Sequence, residues 1–176
     1  KGYNEGLKHI LADVYCLLNS DVEVTPHWLE APIHIFAHEP QISILQPKIK
    51  SYKQKNYFEY AGAAGGYIDK YGFPYCRGRV FDTIEEDTGQ YEEQTPIFWA
   101  SGACFFIRAS TFEHLGGFDE DFFAHQEEID LCWRAQNEGY KVYYTPLSQI
   151  YHLGGATLEQ GSTQKVFLNF RNSLFM

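Results

Sequence analysis

Three groups of side chains in this 176-residue chain have the types and spacing for chemistry. The first is Asn19-Ser20-Asp21-Val22-Glu23, set directly behind an apolar run at residues 14–18. In open α/β sheets ligands gather at the carboxyl ends of strands, so a carboxylate there faces the expected cleft. A hard oxygen donor at that point suits Mg²⁺ or Mn²⁺ held against a diphosphate. The same residues also make a turn and a helix cap ahead of Pro26, and spacing alone does not choose between the two roles.

The second group runs from Gln126 to Arg134, preceded by Gly116-Gly117-Phe118-Asp119-Glu120-Asp121-Phe122-Phe123. Glu127, Glu128 and Asp130 fall in the first turn of an expected helix, where the dipole favours acids, and Asp130 with Arg134 is an i,i+4 pair. A structural role is therefore available. However, Ile129, Leu131, Cys132, Trp133 and Ala135 cover most of the circumference, which implies burial. Buried carboxylates are costly unless paired or used, and a general base is a natural use.

The third group is Tyr151-His152-Leu153-Gly154-Gly155, a histidine at a strand end followed by glycines. A hydrogen-bonded structural histidine fits this setting. So does an imidazole ligand to Mn²⁺ or a similar ion, if a metal-binding carboxylate lies nearby. Small residues at 99–104 (Trp99-Ala100-Ser101-Gly102-Ala103-Cys104) mark a strand that permits close backbone approach.

The elements that must position these residues alternate between strand and helix, which predicts an α/β layer fold. A helical spacing at Leu7, Ile10 and Leu11 precedes the strand at 14–18, whose apolar run without alternation reads as covered on both faces, as in a parallel sheet. A helix from Pro26 through His38, strands at 42–49 and 97–107, and a short helix at 111–115 follow. A helix from about Gln126 to Glu138 closed by Gly139, strands at 141–145 and 149–152, and a last helix with an apolar stripe at Val166, Phe167, Phe170 and Leu174 complete the pattern. Between them, residues 50–95 are rich in Gly, Tyr, Lys and acids. An excursion of that length is usually functional or disordered, and its aromatic content favours order.

The bulk properties narrow the class. With 44% hydrophobic and 21% charged residues the chain can bury one core. A net charge of -9 argues against nucleic acid and anionic membranes as main partners, so an anionic ligand needs a local cation. Thirteen Tyr, 14 Phe and 3 Trp suit sugar faces as well as a packed core. Cys16, Cys76, Cys104 and Cys132 form no CxxC pair and read as reduced, in a cytosolic setting. No apolar stretch is long enough to span a bilayer, and no signal peptide is visible. The lone Met176 at the end of the sequence reads as the mark of a cut piece.

Taken in order, LLNSDVEVTPHWLE (17–30), WASGACFFIRAS (99–110), GGFDEDFFAHQEEIDLCWR (116–134) and YHLGG (151–155) resemble the family-two inverting glycosyltransferases, over nearly the whole chain. The resemblance implies a GT-A fold, with a mostly parallel nucleotide-sugar-binding sheet, flanking helices and the N-terminal strands missing. It implies a metal-binding half at 1–49, a loop-rich acceptor excursion at 50–96, and an acceptor and base half with the C-terminal helix at 97–176. The family's metal ligands fall on Asp21 and His152, with Asn19 in the place of the first acid of its D-x-D-like motif. Its glutamate-aspartate base motif falls on Glu127-Glu128, where Glu128 replaces the commoner aspartate as base and Asp130 is the fallback. The resemblance also implies that Gly102 and Ala103 line the sugar and acceptor pocket, with Trp99 and Arg134 among the donor- and acceptor-binding residues, and that Asp119 either supports that pocket or caps a turn. The Gly- and Tyr-rich excursion, with Tyr67, Tyr71, Arg77 and Arg79, reads as an acceptor or lid region, the alternative being that its arginines are simply solvated. The stretch Asn169-Phe170-Arg171-Asn172 resembles the segment before a C-terminal extension, and both ends read as trimmed.

The implied reaction is metal-assisted transfer of a hexosyl or deoxyhexosyl group from a nucleotide-diphosphate sugar to a saccharide or lipid-linked acceptor, in cell-envelope polysaccharide or glycoconjugate synthesis. The expected location is the cytoplasm, at the inner face of the membrane if a C-terminal region reaches it. The rival readings are an inactive sugar- or nucleotide-binding module and a metal-dependent hydrolase of phosphate esters. Because the flanking strands of residues 14–18 have no counterpart, the piece alone is expected to be silent and to self-associate.

Overall fold

The structure is a computed structural model that describes residues 1–154 and 163–175. Gly155 and Met176, singled out above, lie outside the described residues.

The main sheet contains β1 (Val14–Leu18), β2 (Val22–Val24), β3 (Ile42–Ser51), β8 (Thr95–Pro96), β9 (Cys104–Arg108) and β10 (Lys141–His152). Its order is β1-β9-β3-β10-β2, with β8 also on β10. Helices α1 (Gly2–Leu7), α2 (Glu30–His38), α3 (Ala109–His114), α4 (Glu127–Asn137) and α5 (Thr163–Ser173) flank it. The expected α/β layering holds, but the sheet is mixed: β3 and β10 are parallel, whereas the β1–β9, β3–β9 and β10–β2 pairs are antiparallel.

Strand β3 is buried continuously from Ile42 to Ile49, as a strand covered on both faces should be. Strand β1 is not covered in this way. Tyr15 and Leu17 are buried, Cys16 is exposed, and the strand lies at the sheet edge with β9 as its neighbour. An apolar run reports burial of alternate residues without reporting which edge is paired. The strand expected at 97–107 begins only at Cys104, because the chain turns at Ser101-Gly102, where the Cys104 N–H bonds the Ser101 carbonyl. The two strands expected at 141–145 and 149–152 are halves of β10. Its pairing with β3 slips between Thr145 and Gln149, and Pro146, which has no N–H to give a ladder, stands in that slip.

Two cores result, one on each face of the sheet. On one, Ile35 and Phe36 of α2 pack against Ile42, Leu45, Ile49, Phe106 and Ile150. On the other, Tyr15, Leu17, Ile44 and Ile107 meet Phe112 of α3, Ile129 and Leu131 of α4, and residues of the excursion such as Phe58 and Trp99.

The excursion is ordered, with small hairpins β4 (Gly66–Ile68) with β5 (Pro74–Cys76) and β6 (Arg79–Val80) with β7 (Thr83–Ile84). Polar residues on β3 fasten it to the sheet. The buried Gln46 amide donates to the Gly62 carbonyl at 3.0 Å and accepts from the Ser101 N–H at 2.8 Å. Lys48 and Lys50 both pair with Asp87, at 3.2 and 3.0 Å. Arg77 lies among the rings of Tyr67, Tyr91 and Tyr144 and donates to the Ala64 carbonyl, so it is a fastener of the excursion.

Helix α5 departs from expectation. The apolar stripe Val166, Phe167, Phe170 and Leu174 is exposed, and the buried face is made by Leu168 and Asn172. Polar bonds seat this helix together with Leu168: the Arg171 and Asn172 side chains donate to backbone carbonyls of the loop before α4.

Candidate functional site

Strand pairing brings the first and third motifs together. Antiparallel pairing of β2 with the end of β10 sets Val22 opposite His152, and the Leu153 N–H bonds the Asp21 carbonyl at 3.0 Å. The His152 Nε2 then stands 3.2 Å from Asp21 Oδ1. On the other side of the ring, Nδ1 lies 3.4 Å from Oε1 of Glu59, a distance for charge attraction, although the atoms are not aligned as a hydrogen bond. Burial pulls the imidazole pKa down, but Glu59 and Asp21 more than offset this and the net shift is upward.

Glu59 was not legible as a site residue. It belongs to the excursion, is 7% exposed, and is held by its N–H on the Ile49 carbonyl of β3 and by the Ala61 N–H, which donates to its Oε2. Its sequence sign was slight: an acid between Phe58 and Tyr60 in a segment expected to be ordered.

The second motif forms a separate lobe. A cavity of about 860 Å³ is lined by Asn19, Gly102, Asp119, Glu127 and Glu128, with Tyr3 and Phe118 among its aromatic walls. Its size suits a small-molecule site. Asn19 reaches it because its N–H bonds the Ala103 carbonyl at 3.0 Å, tying the end of β1 to the turn before β9. Asn19 is thus the link between this cavity and Asp21, two residues on.

Glu128 points at Gly102, where an added Cβ would sit 3.5 Å from its Oε1. Its Oε2 and that of Glu127 are buried without hydrogen-bond partners. Burial, then the neighbouring Glu127, push the Glu128 carboxyl up to about 8, while backbone N–H groups pull the other way. Burial also raises Glu127. A carboxyl poised near 8 and facing a cavity is suited to taking a proton.

The backbone before these acids is strained. Phe123, His125 and Gln126 have φ of 62°, 68° and 68°, each costing on the order of 1 kcal/mol or more. At the other end, Gly139 takes φ of 84° and the Tyr140 N–H bonds the Ala135 carbonyl, a glycine C-terminal stop.

Other residues expected at the site have structural contacts. Asp130 pairs with Arg134 at 2.7 Å, and Arg134 also donates to the Leu115 and Gly117 carbonyls, so the pair braces the turn before the acids. Trp99 gives its indole N–H to the Tyr67 carbonyl and lies flat against Gly66, where a Cβ would come within 2.1 Å of the ring. Ala103 is buried with Cys104 in the α2-side core. Asp119 both lines the cavity and caps the short turn at Glu120–Phe122, accepting from the Asp121 N–H at 2.9 Å. Tyr71 is exposed, and Arg79 packs over the Tyr60 ring.

Among the described residues no three His, Cys, Asp or Glu side chains form a ready-made metal cage. Asp21 and His152 nevertheless supply one hard oxygen and one imidazole nitrogen, a donor pair suited to Mn²⁺ and, through the oxygen, Mg²⁺, with phosphate and water oxygens completing the shell. Glu59, 3.4 Å from Nδ1 on the far side of the ring, stands where charge attraction can hold the His152 imidazole facing Asp21.

Residues 1–170 match the family described as "Glycosyltransferase like family 2". The pre-mycofactocin glycosyltransferase of Mycobacterium tuberculosis is 26% identical over 168 residues, covering 93% of this chain and 32% of that protein. The low-salt glycan biosynthesis hexosyltransferase Agl10 of Haloferax volcanii is 25% identical, covering 97% of this chain and 54% of that one. The N-acetylglucosaminyl-diphospho-decaprenol L-rhamnosyltransferase of M. tuberculosis is 37% identical over 59 residues, 34% of this chain and 19% of its own. This chain therefore spans between about a fifth and about half of the length of these relatives. In fold it is similar to GalNAc-T7, solved with UDP, GalNAc and Mn²⁺, at a TM-score of 0.65 and 20% identity, over 95% of this chain and 32% of that one.

Proposed function

Because this chain belongs to the glycosyltransferase-like family 2, we propose that it transfers a glycosyl group from a nucleotide-diphosphate sugar to an acceptor hydroxyl, with inversion. The observation that carries this reading is the Glu128 carboxyl, whose Oε2 is buried without a hydrogen-bond partner, on the wall of a cavity also lined by Asn19, two residues from Asp21 of the Asp21–His152 pair. Names of relatives with hexosyl- and rhamnosyltransferase activity support a hexose or deoxyhexose as the group moved, and a glycan or lipid-linked acceptor.

Asp21 and His152 are the residues that would hold a divalent cation, Mn²⁺ or Mg²⁺. When bound, the cation offsets charge that develops on the leaving diphosphate. Glu128, ionised, accepts the proton of the acceptor hydroxyl as that oxygen bonds to the anomeric carbon and the bond to the diphosphate breaks with its electron pair. Glu127 keeps Glu128 basic by charge repulsion, and Gly102 leaves room for the acceptor beside it. Among the described residues no helix is long and apolar enough to cross a membrane. We place the reaction in the cytoplasm, at the membrane face where lipid-linked acceptors lie.

The test is a screen of nucleotide sugars with the intact protein, with and without acceptors, beside Asp21→Ala and Glu128→Gln. Product that requires both residues and a divalent cation supports the reading. Donor binding without turnover would identify a binding module, and release of free phosphate from simple esters would identify a hydrolase.

A further inference from the structure

Arg171 and Asn172 are left unused by this scheme, yet together they bond the carbonyls of Asp121, Phe122, Ala124 and His125. Asn172 is fully buried. Its Nδ2 lies 3.1, 2.9 and 2.6 Å from the carbonyl oxygens of Phe122, Ala124 and His125. Its Oδ1 accepts from Arg171 Nε at 2.9 Å and Nη2 at 2.8 Å, and that Nη2 also reaches the Asp121 and Phe122 carbonyls, each at 2.8 Å. The Gln126 amide meets Ser173 Oγ at 3.1 Å, and Phe122 packs edge-on against Phe175.

Every one of these carbonyls belongs to the segment that leads into Glu127 and Glu128. It is also the segment where Phe123, His125 and Gln126 hold positive φ without being glycine. Such a backbone persists only when surrounding groups over-determine it, because relaxation to ordinary φ is downhill. The Phe122, Ala124 and His125 carbonyls are partly or fully withdrawn from solvent and need donors, which one amide and one guanidinium supply together. Relaxation here would rotate the first turn of α4 and carry Glu128 away from Gly102.

We propose that Arg171 and Asn172 are positioning residues for Glu128: they clamp the strained 121–126 segment so that the carboxyl faces the cavity. The proposal deepens the reading above and rests on Glu128 as the base. It also accounts for why Asn172, a polar residue, is buried on α5 beside Leu168 while the apolar stripe of the helix is exposed.

The experiment is steady-state transfer by the intact protein carrying Asn172→Ala, Arg171→Lys or Arg171→Met, with Glu128→Gln in parallel and melting followed for each. A clamp that aims a base acts on turnover. Asn172→Ala is expected to lower kcat roughly tenfold to a hundredfold, the scale of about 1 Å of misplacement, with donor KM within about threefold. Arg171→Lys, which keeps a cation and fewer donors, is expected to retain more kcat than Arg171→Met. Should Asn172→Ala fail to fold, the Arg171 pair carries the test. A loss that falls on donor KM with kcat intact, or an Arg171→Met variant with unchanged kcat, overturns the proposal. An inactive Glu128→Gln beside such variants overturns the positioning role alone. A fully active Glu128→Gln overturns the base assignment and this proposal with it.

Discussion

His152 and Glu59 meet through Nδ1 and Oε1, 3.4 Å apart, at a spot where Gly154 leaves the space: a Cβ there would lie 3.2 Å from the same Oε1, and its φ is 68°. The contact joins the long excursion to the end of β10. It sets the ring so that Nε2 faces Asp21.

The first prediction follows from that contact. Glu59→Leu removes the support behind a proposed ligand, so Mn²⁺-dependent binding of a nucleoside diphosphate is expected to weaken by about 10- to 100-fold. Calorimetric titration checks it. The raised imidazole pKa gives a second signature, since a cation needs the neutral ring. Binding should fall as the medium is acidified through that raised pKa, and in Glu59→Leu the fall should move to lower pH. Unchanged affinity in the variant would detach Glu59 from the site.

Glu128 gives a prediction in which stability and activity oppose each other. Its carboxyl is raised from 4.5 to about 8, chiefly by burial. Stability linked to the protonated form is complete below the unfolded value and is lost as pH rises through about 8. Glu128→Gln is therefore expected to melt roughly 3–8 °C above the parent at pH 9, with the difference vanishing below about pH 4.5. The same variant should lose transfer by about 100-fold or more, and parent kcat/KM should rise with pH through about 8. A variant that melts at the parent temperature at pH 9 would show that the carboxyl is not held in a costly environment.

The free edge of β1 supports a third prediction. Cys16 is exposed there, and among the described residues only β9 pairs with β1. An unpaired edge is a template for association, and a lysine placed on it opposes pairing. The 176-residue chain is expected to self-associate in light scattering under reducing conditions, and Cys16→Lys to reduce the effect. A monomeric parent would refute the edge as an association surface.

What the sequence carried, and what it did not, divides along physical lines. Periodicity and end signals located β3 and α4, because burial on both faces and a glycine stop leave marks in residue type. Motif order paired Asp21 with His152, although only the β2–β10 register shows why they meet. Periodicity could not reveal strand direction, since the apolar run of β1 is the same whichever way β9 runs. It misjudged α5 for a related reason: apolar spacing registers a hydrophobic face, whereas this helix is seated by Asn172 and Arg171 on carbonyls. Glu59 escaped because its role depends on where residue 59 crosses the end of β10, a tertiary fact with no local pattern.

The last prediction concerns the anchor of the excursion. Asp87 is nearly buried between Lys48 and Lys50, and it accepts from the Gly89 N–H; Glu92 also pairs with Lys48. Burial alone would raise the Asp87 carboxyl, but the two lysines and the Gly89 N–H outweigh it, so its pKa is lowered. Its contribution is present above the unfolded value near 3.8 and is lost as pH falls through the lower folded one. Asp87→Asn would leave buried Lys48 with Glu92 alone and Lys50 without its acid, and breaking a buried pair from one side costs about 3 kcal/mol or more. A fall in Tm of about 6–12 °C at pH 7 is expected, shrinking as the pH is taken below 3.8 and through the lowered folded value. Because the anchor holds the excursion that carries Glu59, Mn²⁺-dependent nucleotide binding should weaken with it. Calorimetric melting and titration of the same sample measure both. A variant that melts as the parent does would show that the Gln46, Lys48–Glu92 and Arg77 contacts hold the excursion without Asp87.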